Sequence, residues 1–366
     1  MQLENLNLKN FRNYVQETIN LESGLNILQG RNGQGKTNIL EGIYYLLTGK
    51  SYRIQRDQEL ILWGKDNFNL SGDFKVSGRR IHLECNYLNK KKFFKINNVP
   101  CSKLSEYVGI VNAVFFSPDD LFLVKGGPSE RRRFLDIHLA QLKPSYIKVI
   151  NSYNRVLHQK NALLKSNISV SAKIKELASW NEQLSMYGEQ IIKSRLELTE
   201  KLQSFCFNIY TDLSANNENI KLTYSALSKK DPELAIKSFL DLLEKNKEQE
   251  IERQCVLIGP HRDDLIIELN SRSAKLFGSQ GQQRSIVLSL KLAELNTINK
   301  EKGTYPLLLL DDVLSELDNF RREYLLDFIK SAGNQTLMTM TSAETLSDIK
   351  LSTLYNIKEG HIRRVK

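Results

Sequence analysis

The stretch Gly30-Arg31-Asn32-Gly33-Gln34-Gly35-Lys36-Thr37 constrains this chain more than any other feature. It matches G-x-x-x-x-G-K-[ST], follows the short apolar run Leu25 to Leu28 and opens a helical pattern over Asn38 to Leu47. Strand, glycine-rich turn and helix in that order make a phosphate cradle. The glycines let the backbone curl so that successive N–H groups face phosphate oxygens, and the positive helix end adds to the pull. In such a loop Lys36 neutralises the β- and γ-phosphates of ATP and Thr37 ligates Mg²⁺. Gly30 through Thr37, with the adjoining Asn38, are therefore candidate nucleotide contacts.

A second signal completes the chemistry. Leu307-Leu308-Leu309-Leu310-Asp311-Asp312 carries an acid to the C-terminal end of an apolar strand, the place where ligands of parallel sheets sit. Asp311 is the candidate Mg²⁺ ligand, directly or through water, and Asp312 the candidate group that polarises an attacking water. Most of the chain separates these acids from Thr37, so something large is inserted between the two halves of the site. A third signal, Ser279-Gln280-Gly281-Gln282-Gln283-Arg284, precedes a helix over Ser285 to Asn296. Donors at a helix N-terminus suit a phosphate, and the same residues also serve as a plain polar helix cap.

The periodicity of the chain fits this plan. Gln2 to Leu8 alternates like an edge strand. From Asn67 to Val99 a Lys-rich stretch alternates through Ile81, Leu83, Cys85 and Tyr87, predicting an antiparallel sheet with turns at Gly72, Gly78 and Asn97-Asn98. Val111 to Phe116 predicts a strand, followed by a helix start at Ser117-Pro118-Asp119-Asp120. From Pro144 the period becomes helical, with Tyr146, Val149, Ile150, Tyr153 and Leu157 on one face. After a polar break, Leu177, Trp180, Leu184, Tyr187, Ile191, Leu198 and Phe205 form a second seam. Two such helices predict an antiparallel hairpin, standing as an arm or folded as a compact bundle, with the arm preferred. Beyond Ile251 strand and helix alternate again: Val256 to Ile258, Leu265 to Leu269, Arg321 to Ile329 (helical) and Thr336 to Met340. That order predicts a parallel α/β sheet with right-handed crossovers.

Charge adds a partner class. The chain has 366 residues, with 52 Lys and Arg against 42 Asp and Glu, for a net charge of +10. The excess is concentrated. Lys50 to Lys103 holds twelve cations against five acids, and Lys125 to Lys165 nine against two. Concentrated positive charge suits the backbone of a nucleic acid and carries no base sequence preference. Arg53 and Arg56, just beyond the phosphate-loop helix, and Arg131 and Arg132 are the candidate DNA contacts. For Arg131 to Arg133, internal pairing with Asp119, Asp120 or Asp136 is the competing use. The four cysteines show no C-x-x-C spacing, the five histidines show no metal-ligand spacing, and His261 reads as structural or close to nucleotide. With no long apolar run and no signal-peptide pattern, a soluble cytoplasmic protein without a membrane partner is expected.

In order, the phosphate loop, SQGQQR, the LLLLDD strand and Ser315-Glu316-Leu317-Asp318 resemble the phosphate loop, signature, Mg²⁺-binding strand and D-loop of the ABC ATPase superfamily. Within it, several blocks together resemble the RecF family. They are Asn10-Phe11-Arg12-Asn13-Tyr14, Phe116 to Leu121, Pro128 to Asp136 (PSERRRFLD), Gly259 to Asp264 (GPHRDD) and LLLDDVLSELD. The resemblance implies an α/β ABC-type head, a mixed sheet with flanking helices, carrying an inserted helical arm lobe. It is related to the heads of chromosome-organising SMC proteins. The parts expected are residues 1–120 (head with phosphate loop and antiparallel sheet), 121–250 (helical arm) and 251–366 (head with signature, Asp311 and D-loop). The resemblance further implies an ATP-driven homodimer that binds single-stranded, gapped or duplex DNA in repair and replication. It would act with RecR and RecO to help load RecA. In the dimer Ser279, Gln280, Gly281 and Gln282 of one copy would contact the nucleotide of the other.

Two departures from the superfamily matter. Asp312 replaces the usual glutamate, and Thr339-Met340-Thr341 occupies the place where a histidine often stands, making Thr341 a candidate γ-phosphate contact. A threonine donates a hydrogen bond but does not shuttle a proton as histidine does. Weak, DNA-stimulated ATPase activity is the expectation, with ATP acting mainly as a dimerisation switch. The alternative is an ABC-type motor subunit coupled to another protein, without a DNA function.

Overall fold

The computed structural model describes residues 1–214, 218–227, 236, 238–341 and 352–365. The chain opens with an antiparallel hairpin, β1 (Gln2–Phe11) and β2 (Tyr14–Asn20), then β3 (Leu25–Gln29), the phosphate loop and α1 (Lys36–Thr48). β4 (Asn67–Val76), β5 (Arg79–Leu88), β6 (Lys91–Ile96) and β7 (Val99–Pro100) follow, then α2 (Leu104–Tyr107) and β8 (Ala113–Phe116). The middle is helical: α3 (Phe122–Lys125), α4 (Pro128–Leu142), α5 (Ser145–Lys165) and α6 (Val170–Leu213). β9 (Ile220–Ser225), α7 (Phe239–Lys245) and α8 (Lys247–Arg253) complete that stretch. β10 (Asp264–Leu269), β11 (Arg272–Ser273) and α9 (Ala274–Phe277) lead to α10 (Gln280–Lys302), which begins at the SQGQQR motif. Last come β12 (Leu307–Asp311), α11 (Asn319–Ala332), β13 (Thr336–Met340), β14 (Ser352–Lys358) and β15 (His361–Arg364).

Two compact units divide the chain. The first joins Met1–Asp120 with Lys291–Lys366, and the second is Leu121–Leu290. The second boundary corrects the expectation of 250/251. Residues 251–290, which include β10 and the signature motif, pack in the second unit, because β10 pairs with β9 along its whole length.

The first unit holds two six-stranded sheets. One is antiparallel, in the order β2-β1-β4-β5-β6-β7. Its strands alternate as read from the sequence, with Leu6, Leu8, Phe68, Leu70, Leu83, Cys85 and Phe94 buried on one face. Gly78 and Asn97-Asn98 do take positive φ at turns, and so do Asn89 and Lys90, which composition did not flag. Gly72 is instead buried in the middle of β4 opposite Leu6, where an added Cβ would come within 3.0 Å of the Asn5 carbonyl oxygen. The other sheet runs β15-β14-β3-β13-β12-β8, parallel from β14 through β8 with β15 antiparallel at the edge. Leu307 to Leu310 of β12 are each at most 1% exposed, as a strand covered on both faces must be. Burying each such leucine contributes about 1.5–3 kcal/mol. Parallel pairing brings the C-terminal ends of β3, β13 and β12 side by side, Asp311 opposite Thr339 and Thr339 opposite Leu28.

The second unit is an inserted helical lobe with its own small sheet, β11-β10-β9. The predicted hairpin is α5 against α6. Of the predicted seam, Leu177, Leu184, Ile191 and Leu198 are buried on α6 at heptad steps, while Trp180, Tyr187 and Phe205 are half-buried. The hairpin is not bare. α7 and α8 pack along α6, and Phe239 sits so close to Gly188 that a Cβ there would lie 2.4 Å from its ring. Further down, α6 lies on β9, where fully buried Arg195 interrupts the apolar seam.

Arg195 organises this unit. Its guanidinium donates to both carboxylate oxygens of Asp136 at 2.9 and 3.0 Å, to the Pro260 carbonyl at 2.7 Å and to the Tyr224 hydroxyl at 3.3 Å. Tyr146 donates to Asp136 at 2.6 Å, and Tyr224 donates to Asp263 at 2.7 Å. Arg131 is 7% exposed and donates to both oxygens of Asp264 at 2.7 and 2.8 Å and to two backbone carbonyls. Arg132 donates to the Asp263 carbonyl at 2.7 Å. The PSERRRFLD and GPHRDD blocks are thus joined to each other. A guanidinium only 7% exposed that spends four of its five N–H donors in this way is used largely inside the unit, which weighs against the expectation that Arg131 contacts DNA. Its partner is Asp264 rather than Asp119, Asp120 or Asp136.

Candidate functional site

The phosphate loop is fixed by its neighbours before any nucleotide arrives. Gly30 has φ +157°, and a Cβ there would lie 2.4 Å from the Ile357 carbonyl oxygen of β14. Gly35 has φ +110°, and a Cβ there would lie 2.6 Å from Asn13 Nδ2 and 2.7 Å from the Tyr14 hydroxyl. The glycines are needed because other backbone and side chains press on the loop from behind, leaving its inner face for a ligand. The β1–β2 turn does the holding. Asn13 Nδ2 donates to the Gln34 carbonyl at 3.2 Å, Asn38 donates to Asn13 Oδ1 at 2.8 Å, and the buried Tyr14 hydroxyl donates to the Gly35 carbonyl at 3.0 Å. From the other side the β14–β15 turn contributes the Glu359 N–H, which donates to Gln34 Oε1 at 2.6 Å.

Lys36, buried at the start of α1, donates to the carbonyls of Gly30 at 2.6 Å and Arg31 at 2.9 Å. Burial lowers its pKa from the usual lysine value, against the opposing pull of Asp312 and Asp311. A partly desolvated ammonium with two carboxylates nearby is poised to exchange weak carbonyl partners for phosphate oxygens.

The two candidate Mg²⁺ ligands from opposite ends of the chain lie side by side. Thr37 donates its hydroxyl to Asp311 Oδ1 at 2.8 Å, although 274 residues separate them. Thr339 donates to the same oxygen at 2.8 Å and accepts the Asp312 N–H at 2.9 Å. Thr339 rather than Thr341 therefore braces the acidic strand end. Thr341 lies just past β13, exposed, on the wall of a cavity of about 840 Å³ shared with Gly30, Arg31, Gln34 and Asn356. Asp312 is exposed, with its backbone in the left-handed region at φ +52°. The Tyr52 hydroxyl sits 3.5 Å from Asp311 Oδ2, and burial together with that carboxylate holds it far above the ordinary tyrosine pKa.

These positions fit a Mg²⁺-nucleotide. Thr37 and Asp311 converge as hard oxygen donors of the kind Mg²⁺ takes, the glycine cradle excludes side chains, and the N-terminus of α1 supplies orphan N–H groups. Sequence reasoning missed Thr339, Tyr52 and the bracing roles of Asn13 and Tyr14. Thr339 was legible only as one member of a threonine pair. Tyr52 carries no motif at all.

Behind α1, the buried Glu41 accepts a two-pronged donation from Arg12 at 2.8 and 2.9 Å and the Ser51 hydroxyl at 2.5 Å. Ser51 Oγ in turn accepts the N–H groups of Arg53 and Ile54. This chain of bonds runs from α1 to a loop bearing Arg53 and Arg56, both exposed.

In the second unit Ser279 is exposed. Its N–H donates to Gln282 Oε1 at 2.7 Å, and its hydroxyl accepts the Gln282 N–H at 3.2 Å, a reciprocal cap at the start of α10. Gln280 is exposed, and Gly281 and Gln282 are half-buried. His261 lies in the same unit, with Nδ1 2.6 Å from the Tyr153 hydroxyl, so its role here is structural. Among the described residues no group of three potential ligands forms a separate metal site, and no helix is long and apolar enough to cross a membrane.

A loop-and-helix phosphate cradle, an acid at the end of a neighbouring parallel strand and a helical lobe inserted between them define an ABC-type P-loop ATPase head. Residues 2–363 match the family described as "RecF/RecN/SMC N terminal domain". The DNA replication and repair protein RecF of Desulfitobacterium hafniense (strain DSM 10664 / DCB-2) is 56% identical over 367 residues, covering 100% of each chain. That of Streptococcus thermophilus (strain ATCC BAA-250 / LMG 18311) is 43% identical, covering 99% of this chain and 98% of its own. A solved structure described as the recombination mediator protein RecF with ATP in the RecFOR pathway superposes with a TM-score of 0.91 at 31% identity. The match covers 100% of this chain and 97% of that one. An SMC head bound to the C-terminal winged-helix domain of ScpA shares the fold, with a TM-score of 0.60 at 17% identity, covering 100% and 97%. The chain belongs to the RecF family.

Proposed function

We propose that the protein is an ATP-switched DNA-binding protein of recombinational repair and replication. ATP binds at Gly30 to Asn38 with Lys36 on its β- and γ-phosphates, and Thr37 and Asp311 hold Mg²⁺. When bound, Mg²⁺ supplies charge neutralisation on the phosphates. Thr339 keeps the Asp311 carboxylate aimed, and Asp312 orients the attacking water. ATP joins two copies, with Ser279 to Gln282 of each facing the nucleotide of the other, and slow, DNA-stimulated hydrolysis releases them. RecR and RecO are the partners in helping to load RecA, as the RecFOR description of the similar structure suggests.

The Thr37–Asp311 contact carries this reading, since it unites motifs from opposite ends of the chain. DNA binding rests on exposed Arg53 and Arg56, linked through Ser51 and Glu41 to α1. Lys36→Ala should abolish ATP binding in a titration with a fluorescent nucleotide, and unchanged affinity would refute the site. Arg53→Glu with Arg56→Glu should weaken duplex binding and flatten its salt dependence, which is about −0.9 in log K per phosphate neutralised. Nucleotide affinity should stay unchanged. If added salt leaves wild-type duplex affinity constant, the DNA reading fails.

A further inference from the structure

The antiparallel sheet of the first unit buries one face in its core and presents a polar, partly exposed face on the other side. On that second face the register lines up Lys9, Asn69, Asn86 and Phe93 across four adjacent strands. The next rows place Lys91 beside Leu88, and Lys95 beside Glu84. Lys9, Asn69, Asn86, Leu88, Phe93 and Lys95 line a groove of about 710 Å³, in which Phe93 keeps 50% of its surface exposed. A second exposed aromatic stands on a turn beside the end of β1, tied to the groove through Asn10 and Asn67. Trp63 is 96% exposed on a turn held to the strand end, because the Leu62 N–H donates to the Asn10 carbonyl at 2.9 Å and Asn10 donates to the groove residue Asn67 at 3.3 Å.

A half-exposed Phe93 and an almost fully exposed Trp63 near a hydrophilic groove need a reason, since apolar burial would normally have claimed them. The charge of the face narrows the occupant. Glu84 is occupied by Asn69, Asn86 and Lys95, at 2.9, 2.7 and 3.1 Å, leaving exposed Asp66 as the remaining acid near the rim. Lys9, Lys65 and Lys91 are all exposed around it. Cations around a groove that exposes an aromatic ring, here Phe93, are what unpaired nucleic acid requires. Phosphates meet the lysines while bases stack, without regard to sequence. A duplex offers the same phosphates but keeps its bases stacked inside, out of reach of a ring lying on a sheet.

We propose that this groove binds single-stranded DNA, with bases stacking on Phe93 and Trp63 and the backbone running along Lys9 and Lys91. The inference rests on the DNA-binding reading above and gives the unpaired strand a surface of its own, separate from Arg53 and Arg56.

The test is fluorescence anisotropy of the full chain with labelled oligo(dT), and in parallel with a blunt hairpin duplex, over a range of salt. Wild type should bind oligo(dT), with log K falling by about 0.7 per phosphate against log salt. Phe93→Ala and Trp63→Ala should each weaken oligo(dT) binding by roughly tenfold, as expected for one lost stack. Phe93→Trp should retain affinity, whereas Phe93→Leu, equally apolar but without a π-face, should not. Lys9→Glu with Lys91→Glu should flatten the salt slope. Duplex affinity and ATP hydrolysis measured without DNA should be unchanged in the Phe93 and Trp63 variants. Native oligo(dT) affinity in Phe93→Ala would overturn the proposal, and so would an equal loss on the duplex. Wild type binding duplex but not oligo(dT) would remove the groove and leave DNA binding standing. Binding to neither would remove both.

Discussion

Two residues show how much of this site depends on what stands behind it. Gly35 carries φ +110° with Asn13 and Tyr14 at its back, so Gly35→Ala adds backbone strain and a collision together. Strain of that kind costs about 1–3 kcal/mol. We expect a lowered urea midpoint and lost ATP binding, and a variant with native affinity would show that the loop tolerates displacement. His261 gives a pH dependence. Burial lowers its pKa from 6.5 to about 4, and its Nδ1 shares a hydrogen bond with the Tyr153 hydroxyl, whose own pKa burial raises well above the ordinary value. In the unfolded chain the imidazole takes a proton below about pH 6.5, and in the fold it resists until near 4. Its contribution to stability is therefore complete above 6.5 and is lost as pH falls through that window. Urea midpoints at pH 7 and pH 5 should differ less in His261→Gln than in wild type. An unaltered difference would assign the acid sensitivity to the carboxylates instead.

At the scale of elements, Asp136 and Arg195 join α4 to α6, and both oxygens of Asp136 are used. Asp136→Asn would leave a fully buried guanidinium without its counter-charge, at a cost of about 3 kcal/mol in urea unfolding. Asp136→Leu with Arg195→Met should recover part of that loss, and ATP binding should not change in either. A cost below about 0.5 kcal/mol would mean that water replaces the carboxylate. These elements also mark how far the sequence could be read. The glycine loop, the strand ending at Asp311 and the Leu177–Leu198 seam each combine a local pattern with one dominant force, and each is where the pattern placed it. Arg131 is different. Three adjacent arginines look alike in sequence, and only the docking of β10 against α4 decides that Arg131 turns inward to Asp264. Thr339 was equally hidden, because its role comes from strand order: β13 lies between the phosphate-loop strand and the acidic strand. The boundary at Leu290 was missed for the same reason, since the pairing of β10 with β9 is a long-range fact.

At the scale of the whole molecule the question is what ATP does to two copies of the chain. The positive segments differ in their use. Within Lys125 to Lys165, Arg131 and Lys160 are buried against Asp264 and Glu250, whereas Arg53, Arg56, Lys65 and Lys91 remain exposed in the first unit. The proposed DNA contacts therefore concentrate on the unit that also carries the phosphate loop, so the duty of the second unit in the cycle is best sought at its signature. Ser279 caps α10 within its own chain and, in the proposed dimer, also faces the partner's nucleotide. Two substitutions separate these roles. Ser279→Ala removes the cap, at about 0.5–2 kcal/mol of stability, and leaves the surface open. Ser279→Arg removes the same cap and adds a long cation on an exposed position, blocking the approach of a second head. Both variants should bind ATP with wild-type affinity, since the Gly30–Thr37 pocket is untouched. With ATP, Ser279→Ala should still dimerise, if more weakly, while Ser279→Arg should remain monomeric and lose most hydrolysis. Asp312→Asn should behave in the opposite way: with the carboxylate gone, hydrolysis slows and ATP-bound dimers accumulate. Light scattering of the three variants with and without ATP reads all of these outcomes. An ATP-dependent dimer formed by Ser279→Arg would leave the serine as a helix cap alone and refute its contact with the nucleotide of the other copy.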